Sequence, residues 1–393
     1  MDYWKSLDIE LQKIDTMLLR AELFWNPHAR WMPLNLSEIQ QRFIHIASTG
    51  SGGSHEVPPS RYREIPDAQI EEQYSYLHNA QTHLQDMQSS PLVALYDRKL
   101  QELLGRASML RARKAWDQEK VQQEAQRLYG KPDDRLIDLT HEMLVGKFRE
   151  MRPWDEEEYS DENKNEQYAP ITVQQREDIA RATLGRHGLE DIDVRVRPQA
   201  GVRCRVVYRP EPRLELSPQP PKHREDAETI VMHEMTHLQR YRAAQHWGRQ
   251  ILQVGTAGAY YDEEWGAMRA VQQHRGYTTD QYIYDIAPYV LYWATGESAR
   301  STADEIIGQI HTMTQGRCGW ETATHLVVRA MMWNTDWSTP TPAPWVGSVY
   351  LQWFHRVAET RIKSNDFDAF ARYGKITHAD LAVLQEYIPC NLP

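Results

Sequence analysis

The chain has 393 residues, with 45 Lys and Arg against 55 Asp and Glu, a formal net charge of −10, 16 His and 3 Cys. A mean hydropathy of −0.69 and the lack of any apolar run of about 18 residues argue against a membrane span, and the acidic balance argues against nucleic acid as a partner. Cys204, Cys318 and Cys390 are too few and too scattered for a disulfide framework or a cysteine zinc site, and Met1 to Arg20 lacks a signal-peptide core, so a reducing cytoplasm is the expected location.

From the N-terminus, Leu11, Ile14, Leu18 and Leu19 recur at helical spacing and predict an amphipathic helix over the first 25 residues. Ser48 to Pro59, with its Ser-Thr-Gly-Ser-Gly-Gly-Ser run and paired prolines, reads as a flexible loop or linker. Residues 66–150 are rich in Gln, Leu and Arg and read as helical, whereas the acidic run from Trp154 to Glu166 reads as a solvated loop. Alternation with period two over Val194–Arg197, Val202–Val206 and Arg213–Leu216 predicts three short strands. It sets Arg195 with Arg197, and Arg203 with Arg205, on the face opposite the valines. A stretch without Gly or Pro from Asp226 to Arg242 predicts a helix, and Tyr260 to Val271 a second. Residues 279–390 return to helical patterns, including Val346 to Lys363 and His378 to Tyr387. The expected fold is mainly α, of the α+β class, with a helical N-terminal region and a small sheet beside the Asp226–Arg242 helix.

That helix carries the chemistry. His233-Glu234-Met235-Thr236-His237 reads H-E-x-x-H. Residues four apart share a helix face, so both imidazoles can reach one metal ion while Glu234 meets a water beside it. The alternative is an exposed helix with scattered His and Glu, but Ile230, Val231 and Leu238 around the motif point to burial, and buried His and Glu need partners. The expected metal is Zn2+, held by His233 and His237, with Glu234 as general base. A catalytic zinc needs a third protein ligand. On the second helix Glu264 shares a face with Met268 and Val271, while Asp262 and Glu263 suit the acidic first turn that complements a helix dipole. The pattern therefore favours Glu264 over Glu263. His246 and His274 are competing third ligands that lie further along their helices.

Several stretches resemble one known family. Arg127-Leu128-Tyr129-Gly130-Lys131-Pro132-Asp133-Asp134 resembles an R-L-Y-G-x-P-D-D signature, and Glu263-Glu264-Trp265-Gly266-Ala267 stands where that family has Q-E-G-L-A. Weaker matches are Pro91-Leu92, Leu95-Tyr96 and Lys99-Leu100, the strands at Val194–Arg197 and Leu214–Leu216, Val349-Tyr350-Leu351 and Gly374-Lys375-Ile376. Together they resemble the tyrosine carboxypeptidase family of microtubule-associated metallopeptidases and its bacterial QEGLA-motif relatives, over roughly residues 90 to 390. Two departures stand out. The family usually has H-E-x-x-x-H where this chain has the shorter H-E-x-x-H, and Trp265-Gly266 replaces its Gly-Leu.

After an N-terminal helix and flexible linker (1–62) and a helical region (63–168), both read from composition and periodicity, the resemblance implies a zincin-like catalytic domain over 169–393. It implies Glu264 as the third ligand, Tyr350 as a catalytic oxyanion donor, and Arg197 as first choice to bind a substrate carboxylate, followed by Arg240 and Arg329. The expected activity is a zinc-dependent carboxypeptidase acting on a peptide or protein C-terminus. The alternatives are a metal-dependent endopeptidase or peptide-tailoring hydrolase, and a non-catalytic zinc protein. The intact Glu234 counts against the last, because a structural site needs no base.

Overall fold

In the computed structural model the N-terminal stripe lies on helix α1 (Asp2–Trp25), which buries Leu11, Ile14, Leu18 and Leu19. The structure describes residues 2–25, 33–131, 133–146, 171–197, 204–209, 211–218, 224–275, 286–331, 337–343, 351 and 373–387. The protein is mainly α with one small sheet, in the α+β class. Among the described residues no helix is long and apolar enough to cross a membrane. The acidic run at 154–166, Arg203, Tyr350 and nearly all of the predicted helix at 346–363 lie outside the described residues.

The chain forms two units, Met1–Pro153 with Tyr284–Arg361, and Trp154–Ile283 with Ile362–Pro393. This departs from the linear partition at 62 and 168. The described helices within 286–330 belong with the N-terminal helices because of how their apolar faces pack. The first unit is helical: α1, α2 (Leu36–Thr49), α3 (Asp67–Gln85), α4 (Pro91–Lys114), α5 (Gln118–Tyr129) and α6 (Asp134–Val145), then α11 (Ile286–Glu297), α12 (Ala303–Met313) and α13 (Trp320–Ala330). α11 packs on α6 and α13, and α13 packs on α2; Phe43 of α2 also meets Trp337, beyond α13, edge-on with centroids 5.5 Å apart. The glycine-rich stretch after α2 is a loop with one short turn in it. Gly50 ends the helix at φ 63, and a 3-10 turn follows at Ser54–Glu56.

The Arg127–Asp134 signature is a helix-to-helix turn in this unit. α5 stops at Gly130 (φ 82), and the Asp133 side chain caps α6 by accepting from the Arg135 N–H. The Asp133 N–H donates to the Tyr292 hydroxyl at 2.9 Å, which ties the turn to α11.

A buried ion cluster joins α1 to α4. Lys99 Nζ lies 2.9 Å from Glu22 and 3.0 Å from Glu102, and Arg106 Nη1 lies 2.9 Å from Glu22. Burial alone would raise the Glu22 carboxyl, but Arg106 and Lys99 outweigh it and hold it at about 2. A depressed folded value means that the stabilisation is present above the ordinary 4.5 and is lost as pH falls toward about 2. Glu22→Gln should therefore cost about 3 kcal/mol at neutral pH, since it strands two buried cations on one carboxylate. The deficit relative to wild type in urea unfolding should shrink as pH drops through that window; a deficit constant with pH would overturn the assignment.

The second unit packs one face of its sheet against two helices. α7 (Val173–Arg186) begins with a capping box, Thr172 and Gln175 each bonding the other's backbone N–H. Strands β1 (Asp193–Val196), β2 (Cys204–Val207) and β3 (Arg213–Leu216) form a sheet in the order β1-β3-β2, with β1 parallel and β2 antiparallel to β3. Val194, Cys204, Leu214 and Leu216 face a core shared with Ala180 and Leu184 of α7 and with Val231, Met235 and Leu238 of α8 (Arg224–His246). The opposite face carries the arginines. They surround one buried acid, Glu215, with Arg205 at 2.7 Å, Arg213 at 2.9 Å and Arg197 at 3.8 Å. α9 (Gln250–Val254), α10 (Ala259–Arg275), a 3-10 turn at His378–Asp380 and α14 (Leu381–Tyr387) complete the unit.

Candidate metal centre

α8 and α10 pack against each other and hold the chemistry between them. On α8 the apolar residues Val231, Met235 and Leu238 turn into the core, which leaves His233, Glu234 and His237 on the flank facing α10 and β2. His233 and His237 sit one turn apart with their Nε2 atoms 3.3 Å from each other. Glu264 of α10 closes the triangle: Oε2 lies 3.2 Å from His233 Nε2, and Oε1 lies 3.7 Å from His237 Nε2. Tetrahedral zinc with bonds near 2.0–2.1 Å needs its donors about 3.3 Å apart. Among the described residues His233, His237 and Glu264 are the group of side chains able to hold one metal ion.

The donor chemistry fits a divalent cation. Glu264 Oε2 is buried without a hydrogen-bond partner, although it faces an imidazole nitrogen. Burial would raise the Glu264 carboxyl, but His237 and His233 hold it down at about 2, so the oxygen is anionic. Burial also opposes a charged His237, yet Glu263 and Glu264 outweigh that and lift it to about 9. A site this dense in negative charge attracts a cation of one kind or another.

Adjacent residues on α10 reach different nitrogens. Glu264 meets the Nε2 side, shared with His233. Glu263 meets the other side of the ring, its Oε1 lying 3.0 Å from His237 Nδ1, an approach closer in distance than in angle. Burial would raise Glu263 too, but Lys375 and His237 pull it well below the usual carboxylate range. Asp262, in the preceding position, accepts from the His378 N–H at 3.1 Å, and burial lifts its carboxyl to about 7.

Glu234 is not part of the triangle. Its Oε2 accepts the backbone N–H of Val206 at 3.0 Å, which moors the carboxylate to β2. Burial pushes its carboxyl upward against the opposing pull of His237 and His233. β2 is an edge strand, and the Val206 N–H points away from β3. Main-chain groups alternate in direction along a strand, so those of Cys204 share this outer edge.

The remaining sequence candidates are dispersed. Arg240 is 2% exposed and packs beneath Gly266, its guanidinium carbon 3.8 Å from where a Cβ there would stand. Burial lowers it, and Glu263 and Asp262 counter that, so its charge answers the acids of α10 from inside the protein and is not presented to a substrate. Arg197 is half exposed on the arginine face, within ion-pair reach of Glu215. Arg329 is exposed on α13 and belongs to the first unit. His274 pairs with Glu228 at 3.6 Å, and His246 stands edge-on to Trp247; neither joins the triangle. Trp265 is half-buried with Arg269 above its ring at 5.6 Å.

Sequence reasoning misses Tyr208 and Lys375. The Tyr208 hydroxyl donates to Glu263 Oε1 at 3.5 Å, and burial together with Glu263 and Glu234 raises it well above its ordinary value, so it stays protonated. Lys375 Nζ lies 2.9 Å from Glu263 and 3.9 Å from the centre of the Tyr208 ring. Neither residue carries a periodic signal; only the Gly374-Lys375-Ile376 landmark marks the second.

No family model matches the sequence, and no curated protein matches it.

Proposed function

We propose that the second unit is a zincin-like catalytic domain that binds zinc through His233, His237 and Glu264 and hydrolyses peptide bonds, acting on the C-terminus of a peptide or protein. The observation that carries the reading is the three-donor triangle with Glu234 beside it, tied to an edge strand and to none of the three donors. A structural site closes with a fourth protein ligand and has no use for a base.

A zinc ion held by these donors supplies a Lewis acid that polarises a carbonyl and acidifies water. The chain's own residues do the rest. With Oε2 committed to Val206, Glu234 takes the water proton at Oε1 and passes it to the leaving amine. The outer edge of β2 offers the main-chain groups of Cys204 and the carbonyl of Val206, whose N–H is held by Glu234, to an extended substrate, as in strand addition. Tyr350 as the donor to developing negative charge follows from the resemblance, whereas the Tyr208 hydroxyl is committed to Glu263 on the Nδ1 side of His237. Action at a chain end rests on the resemblance to tyrosine carboxypeptidases, which also suggests Arg197; of the three candidate arginines it is the one both exposed and in the second unit.

A peptide library varied at its C-terminus, in free-acid and amide forms, tests this by mass spectrometry. The expected result is removal of C-terminal residues from the free acids, abolished by a chelator and restored by zinc, with the amides spared and Arg197→Ala weakened. Equal cleavage of acids and amides, or internal cuts, would replace the carboxypeptidase with an endopeptidase. No chelator-sensitive hydrolysis would remove both.

A further inference from the structure

We propose that Glu263 and Lys375 form a positioning pair for His237, through which the segment around Gly374 sets the metal affinity of the site. The proposal rests on the zinc reading above and extends it to residues that touch no metal.

Glu263 Oε1 lies 3.0 Å from His237 Nδ1, within ion-pair reach. A carboxylate there holds the proton on Nδ1 and so leaves the Nε2 lone pair for the metal; it also fixes the ring's rotation. Glu263 is 6% exposed, and a buried carboxylate needs a counter-charge. Lys375 supplies it. Its side chain is 9% exposed, and its ammonium lies 2.9 Å from the same Oε1 and rests on the Tyr208 ring at 3.9 Å.

The backbone holds Lys375 in place with little freedom. Its N–H donates to Leu252 O at 2.9 Å, and its own carbonyl accepts from the Thr256 N–H at 3.0 Å, so it is clasped by the turn between α9 and α10. Gly374 makes this approach possible. It sits at φ +101, and a Cβ there would stand 2.5 Å from Ala244 Cβ and 2.8 Å from Leu252 O. The next contacts along the segment point the same way: the Thr377 N–H donates to Thr256 Oγ1 at 3.1 Å, and the His378 N–H to Asp262 at 3.1 Å. Gly374-Lys375 is thus built into the turn that leads to α10, and its one buried charge ends on the carboxylate behind His237.

The test measures zinc affinity of the full chain by competition with a chromophoric chelator, for wild type, Glu263→Gln, Lys375→Met, Lys375→Arg and His233→Ala. Loss of an outer carboxylate partner typically weakens metal binding about 10–100-fold. Glu263→Gln and Lys375→Met should each weaken zinc within that range, and Lys375→Arg should recover most of the loss, which simple packing damage would not predict. A second readout is the imidazole tautomer. In zinc-loaded wild type, long-range proton–nitrogen NMR should show His237 protonated at Nδ1 with its proton shifted downfield, and Glu263→Gln should move that proton upfield. Zinc affinity within twofold of wild type in both Glu263→Gln and Lys375→Met, while His233→Ala abolishes binding, would overturn this proposal and leave the metal site standing. A wild type that binds no zinc would overturn both.

Discussion

Glu234→Gln protein should bind zinc as wild type does and hydrolyse peptides about 10²–10⁴-fold more slowly, the usual worth of a positioned acid–base group. The metal donors are His233, His237 and Glu264, so the substitution removes none of them. The amide preserves shape, and its oxygen can still accept from the Val206 N–H that now holds Glu234 Oε2. What is lost is the capacity to take a proton, and that loss belongs in kcat more than in KM because it is felt in the transition state. Glu234→Ala separates the two roles. It removes the base and also leaves the Val206 N–H without its partner, so it should add a stability deficit of about 1–3 kcal/mol that Gln does not show. Wild-type turnover by a zinc-loaded Glu234→Gln variant would remove Glu234 from the chemistry.

Much of this is legible in the sequence because it is local. The four-residue spacing of His233 and His237, and the set of Leu11, Ile14 and Leu18, are periodicities of a single helix and survive folding unchanged. The alternation of Val194, Arg195 and Val196 likewise sorts one strand into a core face and an arginine face. Contacts between distant segments leave no such trace. Nothing in the pattern around Arg240 says that its guanidinium is sealed beneath Gly266 among the acids of α10, so the sequence reading offers it to a substrate. Glu263 reads as a first-turn acid suited to the helix dipole, whereas the fold buries it between His237 and Lys375. Burial of a charge depends on a partner, and here the partner comes from the far end of the chain. The division into units fails to show for the same reason: α11 to α13 pair with α2 and α6 by packing, not by proximity in sequence.

Removing a ligand should be more damaging to metal content than any other single change. His233→Ala, His237→Ala and Glu264→Ala should each yield protein without stoichiometric zinc and without hydrolysis, since two remaining donors do not make a site. The comparison that decides between neighbours is Glu264→Ala against Glu263→Ala. Glu264 spans both Nε2 atoms, at 3.2 Å from His233 and 3.7 Å from His237, so its loss opens the triangle. Glu263 touches only Nδ1 of His237, on the far side of the ring, so its loss should weaken zinc without abolishing it. The variants should also separate in metal-free stability. Glu264→Ala deletes a buried acid that lies against His237 and His233, whereas Glu263→Ala strands Lys375, whose side chain is 9% exposed, with the face of Tyr208 against its ammonium. Breaking a buried pair in this way costs about 3–5 kcal/mol, so Glu263→Ala should be the less stable metal-free protein and the better zinc binder of the two. Metal analysis after gel filtration and thermal unfolding of the metal-free forms read the two properties independently. The reverse order in zinc content, with Glu263→Ala empty and Glu264→Ala loaded, would move the third ligand by one residue and turn the assignment of both glutamates around.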